Sequence, residues 1–126
     1  MENFEAGTKT SYAIADVTFS TGVWTLNDAL VGTSTSDPKV GTKSIRVRNS
    51  WTVTMKFDKT TGAANVSVKH AKYGTDANST WGLWYSTNSG GTWTQTGTSV
   101  TTSSTTLQAA TFAVNISGTI RFEIRK

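Results

Sequence analysis

The chain has 126 residues, a net charge of +4, 16% charged residues and no cysteine. That length suits one domain spanning residues 1–126, and a chain of this size hides roughly two-thirds of the surface it exposes when unfolded, so its core closes without a disulfide or metal staple. The absent cysteine excludes thiol catalysis and thiolate metal sites. The basic residues are dispersed and do not form a disordered nucleic-acid arm, and no apolar run reaches the roughly 20 residues of a membrane-spanning helix, so no membrane insertion is expected.

Twenty-five threonines and 14 serines stand against only four leucines. Threonine is β-branched and hydroxylated, which suits the wet face of a strand better than a helix. The fold class expected is therefore all-β, an antiparallel two-sheet β-sandwich of about nine strands. In chain order the strands are predicted near residues 3–6, 11–19, 22–26, 43–49, 51–58, 64–73, 81–87, 92–97 with a following segment to 113, and 118–125. Residues 32–41, with Asp37-Pro38, form the least regular loop, and Ser99 to Thr106 reads as a polar connection.

Period-two alternation carries these assignments. Ile45 and Val47 alternate with Arg46 and Arg48; Trp51, Val53, Met55 and Phe57 continue the same odd phase. Val66 and Val68 share a face with His70, the only histidine, which places that ring at the core or its edge. Ile120, Phe122 and Ile124 alternate with Arg121, Glu123 and Arg125. The predicted core is Val53, Met55, Phe57, Leu83, Tyr85, Ile120, Phe122 and Ile124. If Leu83 and Tyr85 point inward, Trp84 points outward, unless it exchanges roles with Trp81.

No catalytic constellation is legible. There is no Gly-x-Ser-x-Gly elbow and no phosphate-cradling glycine loop. One histidine without cysteine leaves no zinc set, and the eight carboxylates sit mostly at strand ends and turns, where acids serve as turn formers. The expectation is a binding protein and not an enzyme. Trp84 and Tyr73 are the candidate stacking platforms for a sugar ring, with Trp51 as a further rim aromatic. Arg46, Arg48 and Lys69 are the candidate donors to hydroxyl, carboxylate or sulfate groups. The same basic and aromatic mixture suits nucleic acid, which stacks its bases on aromatic rings among lysine and arginine. Asp76 and Asn78, with Thr80, place oxygens at alternate positions in one loop, a weak pattern for structural calcium.

The segment Ser86-Thr87-Asn88-Ser89-Gly90-Gly91-Thr92-Trp93 resembles the Asp-box, a hairpin device of sialidases and other secreted β proteins, with asparagine where the pattern has aspartate. Together with Asn3-Phe4-Glu5-Ala6-Gly7, the run Gly41 to Arg48 and Val68-Lys69-His70-Ala71-Lys72-Tyr73-Gly74, it makes the chain resemble jelly-roll, carbohydrate-binding-module-like accessory domains of secreted bacterial multidomain enzymes, both glycoside hydrolases and endonucleases. Trp51 departs from that pattern, which has glycine after Arg-Asn-Ser, and is read there either as a rim aromatic or as a local packing change. The resemblance implies a secreted or extracellular monomeric module, covalently linked to a catalytic domain in a longer parent chain, that tethers it to polysaccharide. Met1 followed directly by Glu2-Asn3-Phe4-Glu5 is in keeping with an excised domain or a mature chain with an added start. It also implies a structural calcium held near the first strand by Glu5 or Glu2. Alternatives are nucleic-acid or cell-surface association beside a nuclease, and a spacer or adhesion role.

Overall fold

The computed structural model describes residues 1–126. It contains no helix, and so none long and apolar enough to cross a membrane. Eight strands form: β1 (Ala15–Phe19), β2 (Gly22–Gly32), β3 (Ser44–Met55), β4 (Ala63–His70), β5 (Ser79–Ser86), β6 (Thr94–Thr102), β7 (Gln108–Ile116) and β8 (Arg121–Arg125). Six pair in the order β1-β2-β3-β8-β5-β6, and β4 pairs with β7 alone; every pairing is antiparallel. The chain is thus all-β, with two antiparallel sheets of unequal width.

Eight strands rather than nine result from three local departures. Residues 3–6 do not form a strand. Phe4 takes a positive φ of 59° and turns its ring into the first hairpin, 5.1 Å from Phe19 and 5.6 Å from Trp24. Glu2 fastens the same hairpin, its carboxylate accepting from the Thr21 amide and hydroxyl and from the Ser20 hydroxyl. The expected strands 43–49 and 51–58 are one strand with an excursion: Asn27 faces Thr52 and Ala29 faces Val47, so Asp28 alone opposes residues 48–51. Asp28 (φ 47°) and Asn49 (φ 53°) supply the left-handed backbone this needs, a region asparagine and aspartate tolerate better than most side chains. Four residues on β3 form the excursion, so odd numbers point inward on both sides of it. The third departure adds a strand: the expected 92–97 with its following segment to 113 is two strands, β6, which takes in the polar stretch from Ser99 as far as Thr102, and β7. Gly97, at φ 66°, carries a bulge that lets Leu83 face Thr96 and Trp81 face Val100.

The inward residues make the core. Leu26, Leu83 and Ile120 are fully buried, and Trp24, Trp51, Val53, Met55, Trp81, Phe112 and Phe122 join them. Of the eight expected core residues, Phe57, Tyr85 and Ile124 are only half-buried, packed against the cluster without being enclosed by it. The small sheet docks on the large one at Trp81, whose indole is 5.9 Å from the Phe112 ring on β7 and 5.2 Å from His70 on β4. His70 therefore points inward with Val66 and Val68, as its phase implies.

Thr102 completes this joint. Its hydroxyl oxygen accepts from the buried Trp81 Nε1–H at 2.9 Å and lies 2.8 Å from His70 Nδ1. One hydroxyl proton remains for Nδ1, which fits a neutral ring protonated on Nε2. Burial holds the His70 pKa below its ordinary 6.5.

Two predictions follow from the joint. Thr102→Val keeps the shape and removes both hydrogen bonds, so it is expected to cost about 1–3 kcal/mol in a urea unfolding curve, whereas Thr102→Ser retains most of the stability. The second concerns pH. A histidine whose folded pKa is depressed leaves the unfolded chain binding more protons, so stability falls as pH drops through about 6.5. Glu2, Glu5, Asp16, Asp37 and Asp58 also hold folded pKa values below their ordinary 3.8–4.5, giving a second loss below about pH 4.5. Urea midpoints measured across pH should show both limbs, and His70→Gln should abolish the upper limb alone.

Candidate functional site

The two-stranded sheet stands opposite β5 and β6, and it leaves Ile45 and Val47 on β3 and Ile124 on β8 only partly covered. The result is a cleft of about 1520 Å³ between β4 on one side and β3, β8 and the N-terminal segment on the other. Its floor is apolar: Val53 and Trp51 are buried, while Ile45, Val47, Val66, Val68 and Ile124 are half-buried despite their inward phase. Sequence periodicity identifies the face of each residue, but not how completely the opposing layer covers it.

Five of the six residues expected to contact a ligand line this cleft: Arg46, Arg48, Trp51, Lys69 and Tyr73. Their environments differ. Trp51 is only 7% exposed and belongs to the core. Its odd position, in phase with Val53 and Met55, turns it inward, so it is part of the floor and not a rim aromatic. Arg46 is clamped by Asp37, with Nε and Nη2 donating to the two carboxylate oxygens at 2.8 and 2.6 Å. Asp37, within the β2–β3 loop, is almost fully buried and also accepts from the Ser34 amide. The guanidinium holds its carboxyl below the usual range, and the arginine's own affinity for its proton rises in return. The Arg46 plane lies over the Tyr73 ring at 4.6 Å. Arg48, next outward on the same strand, lies 4.0 Å over the Tyr12 ring and 3.5 Å from Asp28.

Two arginine–tyrosine stacks thus stand side by side at the end of β3. Tyr12 was not singled out by the sequence; it lies outside any clear alternation, and only the approach of residues 9–13 to β2 delivers it. That approach is fixed by Lys9, whose backbone carbonyl accepts from Val31 and whose buried ammonium donates to the Ala29 carbonyl at 2.7 Å.

Trp84 lies elsewhere, on the outer face of the six-stranded sheet. It is half-buried, as its phase predicts, with the indole against Gly82 and the Arg125 guanidinium 4.3 Å above the ring. Any side chain at Gly82 would collide with that indole, since a Cβ there would sit 2.8 Å from it. Arg125 Nε is 2.6 Å from Glu123 Oε1, an ion pair off the axis of a hydrogen bond, and Glu123 accepts from the Thr54 hydroxyl at 2.7 Å.

Charge around the cleft divides by residue type. All four arginines pair with a carboxylate: Arg46 with Asp37, Arg48 with Asp28, Arg121 with Asp58 and Arg125 with Glu123. Of the eight lysines only Lys56 does, with Asp16. Six of the others, Lys39, Lys43, Lys59, Lys69, Lys72 and Lys126, line the cleft.

The residues considered for calcium fall in two places, Glu2 and Glu5 in the N-terminal segment and Asp76 with Asn78 between β4 and β5. Glu5 accepts from the Thr42 hydroxyl and from the amides of Thr42 and Lys43 at 2.9 and 3.0 Å, and these donors lower its pKa. Glu2 is likewise ringed by N–H and O–H donors. Asp76 and Asn78 sit together in the β4–β5 turn, but the Lys72 ammonium stands 3.5 Å from the Asn78 amide oxygen.

The Ser86–Trp93 hairpin is closed by its own side chains. Ser86 Oγ accepts from the amides of Asn88 and Gly90, and Asn88 Oδ1 accepts from the Thr92 amide at 2.9 Å. Asn88 Nδ2 donates to the Thr92 hydroxyl at 3.0 Å, a bond that an ionised aspartate has no proton to make.

No family model, no curated protein and no solved structure matches this chain.

Proposed function

We propose that the protein is a non-catalytic, jelly-roll carbohydrate-binding module of a secreted enzyme, and that it takes an acidic polysaccharide at the Tyr73 end of the cleft. The observation that carries this reading is the pair of stacked plates, Arg46 on Tyr73 and Arg48 on Tyr12, beside lysines that have no carboxylate partner. A guanidinium held flat against an aromatic ring has lost much of its rotational freedom before a ligand arrives, so little further ordering is needed on binding. Arg46 keeps Nη1 clear of Asp37, and Arg48 is held only by a long, exposed contact to Asp28. Uronate or sulfate groups would take these donors, with Lys69 and Lys72 adding field and the tyrosine rings holding the guanidiniums in place. Trp84 lies outside this group, and its ring is already covered by Arg125.

Nucleic acid is the second reading, favoured by the unpaired lysines. It differs in its salt response, because each phosphate contact releases a counterion and steepens the loss of affinity with salt.

A glycan array probed at two salt concentrations, with single-stranded DNA as competitor, separates them. Saturable binding to uronate- or sulfate-bearing glycans that survives physiological salt is expected. Tyr73→Ala and Arg48→Ala should each weaken it on the order of ten-fold, about 1.4 kcal/mol, and Trp84→Ala should leave it near wild type. Binding that vanishes with modest salt and is displaced by DNA would replace this reading with the nucleic-acid one. Silence across the array would leave a spacer or adhesion role.

A further inference from the structure

The aliphatic part of the cleft calls for a different occupant. β4 pairs with β7 on one side only, and along its other edge no strand or loop takes its backbone groups. Exposed edges are usually blunted by proline, a bulge or an inward charge. From Asn65 to His70 the pairing with β7 is regular, the segment contains no proline, and its single lysine points outward while Val66 and Val68 point in. Directly beside this edge lies the apolar floor, in which Ile45 and Val47 on β3 and Ile124 on β8 are only half-buried. The volume, about 1520 Å³, exceeds the roughly 300–1,000 Å³ of small-ligand pockets. An open strand edge next to a partly covered inner face is what remains when a two-sheet fold lacks one strand.

We infer that the cleft accepts an added β-strand: an extended peptide segment of a partner protein, apolar at alternate positions and acidic at its ends, pairing with the free edge of β4. Main-chain pairing of this kind supplies affinity, and the alternate side chains supply selectivity. The acidic flanks follow from charge. Lys59 lies just before β4 and Lys72 just after it, and both line the cleft without a carboxylate partner. A second copy of this chain is the poorer fit. No acid occurs between Lys59 and Thr75, so two β4 edges laid together would bring lysines against lysines. The site uses the floor and the β4 edge, and it shares Lys72 but neither arginine–tyrosine stack with the site proposed for glycan.

The test is a fluorescently labelled peptide about as long as β4, of alternating valine and threonine with glutamates at both ends. Fluorescence anisotropy should show saturable binding, about ten-fold weaker for a peptide of the same composition with the alternation scrambled, and weaker again with lysine ends. Hydrogen exchange should show new protection of amides in residues 65–70. N-methylation of alternate peptide amides along the edge turned to β4 should abolish binding, and methylation along the opposite edge should not, a comparison that leaves the protein unchanged. Val68→Thr, β-branched and polar, should weaken the peptide several-fold while its far-ultraviolet spectrum stays native. Equal binding of the scrambled peptide, indifference to both methylation patterns, or protection confined to other strands would overturn the inference. So would concentration-dependent dimers that protect residues 65–70 without peptide, which would assign the edge to a second copy.

Discussion

A six-stranded sheet offers far more apolar face than a two-stranded sheet can cover, and this mismatch of width governs the rest of the molecule. With neighbouring strands roughly 4.8 Å apart, the large sheet is about 24 Å across and the small one about 5 Å between strand axes. The chain meets the excess in two places and leaves it in a third. Over β1 and β2 the N-terminal segment serves as cover: Phe4 wedges between Phe19 and Trp24, and Gly7 passes so close to Phe19 and Val17 that a Cβ there would overlap both. Over β5 and β6 the β4–β7 pair does the work through Phe112 and His70 on Trp81. Between them, at Ile45 and Val47 on β3 and Ile124 on β8, the cover is incomplete. The cleft is therefore a consequence of layer width and not of a dedicated loop.

The division between arginine and lysine follows the same geography. Arginine presents a flat fork that pairs with a carboxylate and stacks on a ring at once. Three of the four arginines do both, on Tyr73, Tyr12 and Trp84, and so belong to the architecture. Lysine is a compact charge on a flexible stem, and here it is mostly left unpaired. Acids are scarce, and five of the eight are taken by Asp16, Asp28, Asp37, Asp58 and Glu123 in ion pairs. Glu2 and Glu5 are occupied in tying the N-terminal segment to the first hairpin and to the 42–43 turn. The net charge of +4 consequently collects as ammonium groups without a carboxylate partner, most of them around the cleft.

How much of this was legible in the sequence depends on what each feature is written in. Faces were legible, because a strand's side chains alternate regardless of what the strand pairs with: Val53, Met55, Leu83, Ile120 and Phe122 point inward and are buried, and Trp84 points outward. The same parity placed Trp51 inward, and the family pattern that suggested a rim aromatic there pulled against it. Strand boundaries were legible only where glycine or proline marked them. The excursion opposite Asp28 and the bulge at Gly97 are backbone events whose side chains look like ordinary strand residues, so one strand read as two and another was cut short. Width of the layers was not legible at all. It is set by which strands cross between sheets, and alternation carries no information on partners. For that reason the half-exposure of Ile45, Val47 and Ile124, and with it the cleft, became visible only in three dimensions.

The outer face around Trp84 shows why an exposed aromatic is a weaker sign of a binding surface than it first looks. Its neighbours complete one another: Arg125 covers the indole, Glu123 neutralises Arg125, and Thr54 donates to Glu123. A ligand arriving there would have to displace contacts of the kind it brings, and the exchange would gain little. The cleft is the opposite case. An unpaired strand edge, half-covered aliphatic side chains and lysines without carboxylates are three different unsatisfied demands, for hydrogen bonds, for apolar contact and for negative charge. Any one of them is common on a protein surface. Their meeting in one groove, beside two arginine plates already stacked and held, is why the proposed contacts are assigned to that groove and not to the outer sheet face.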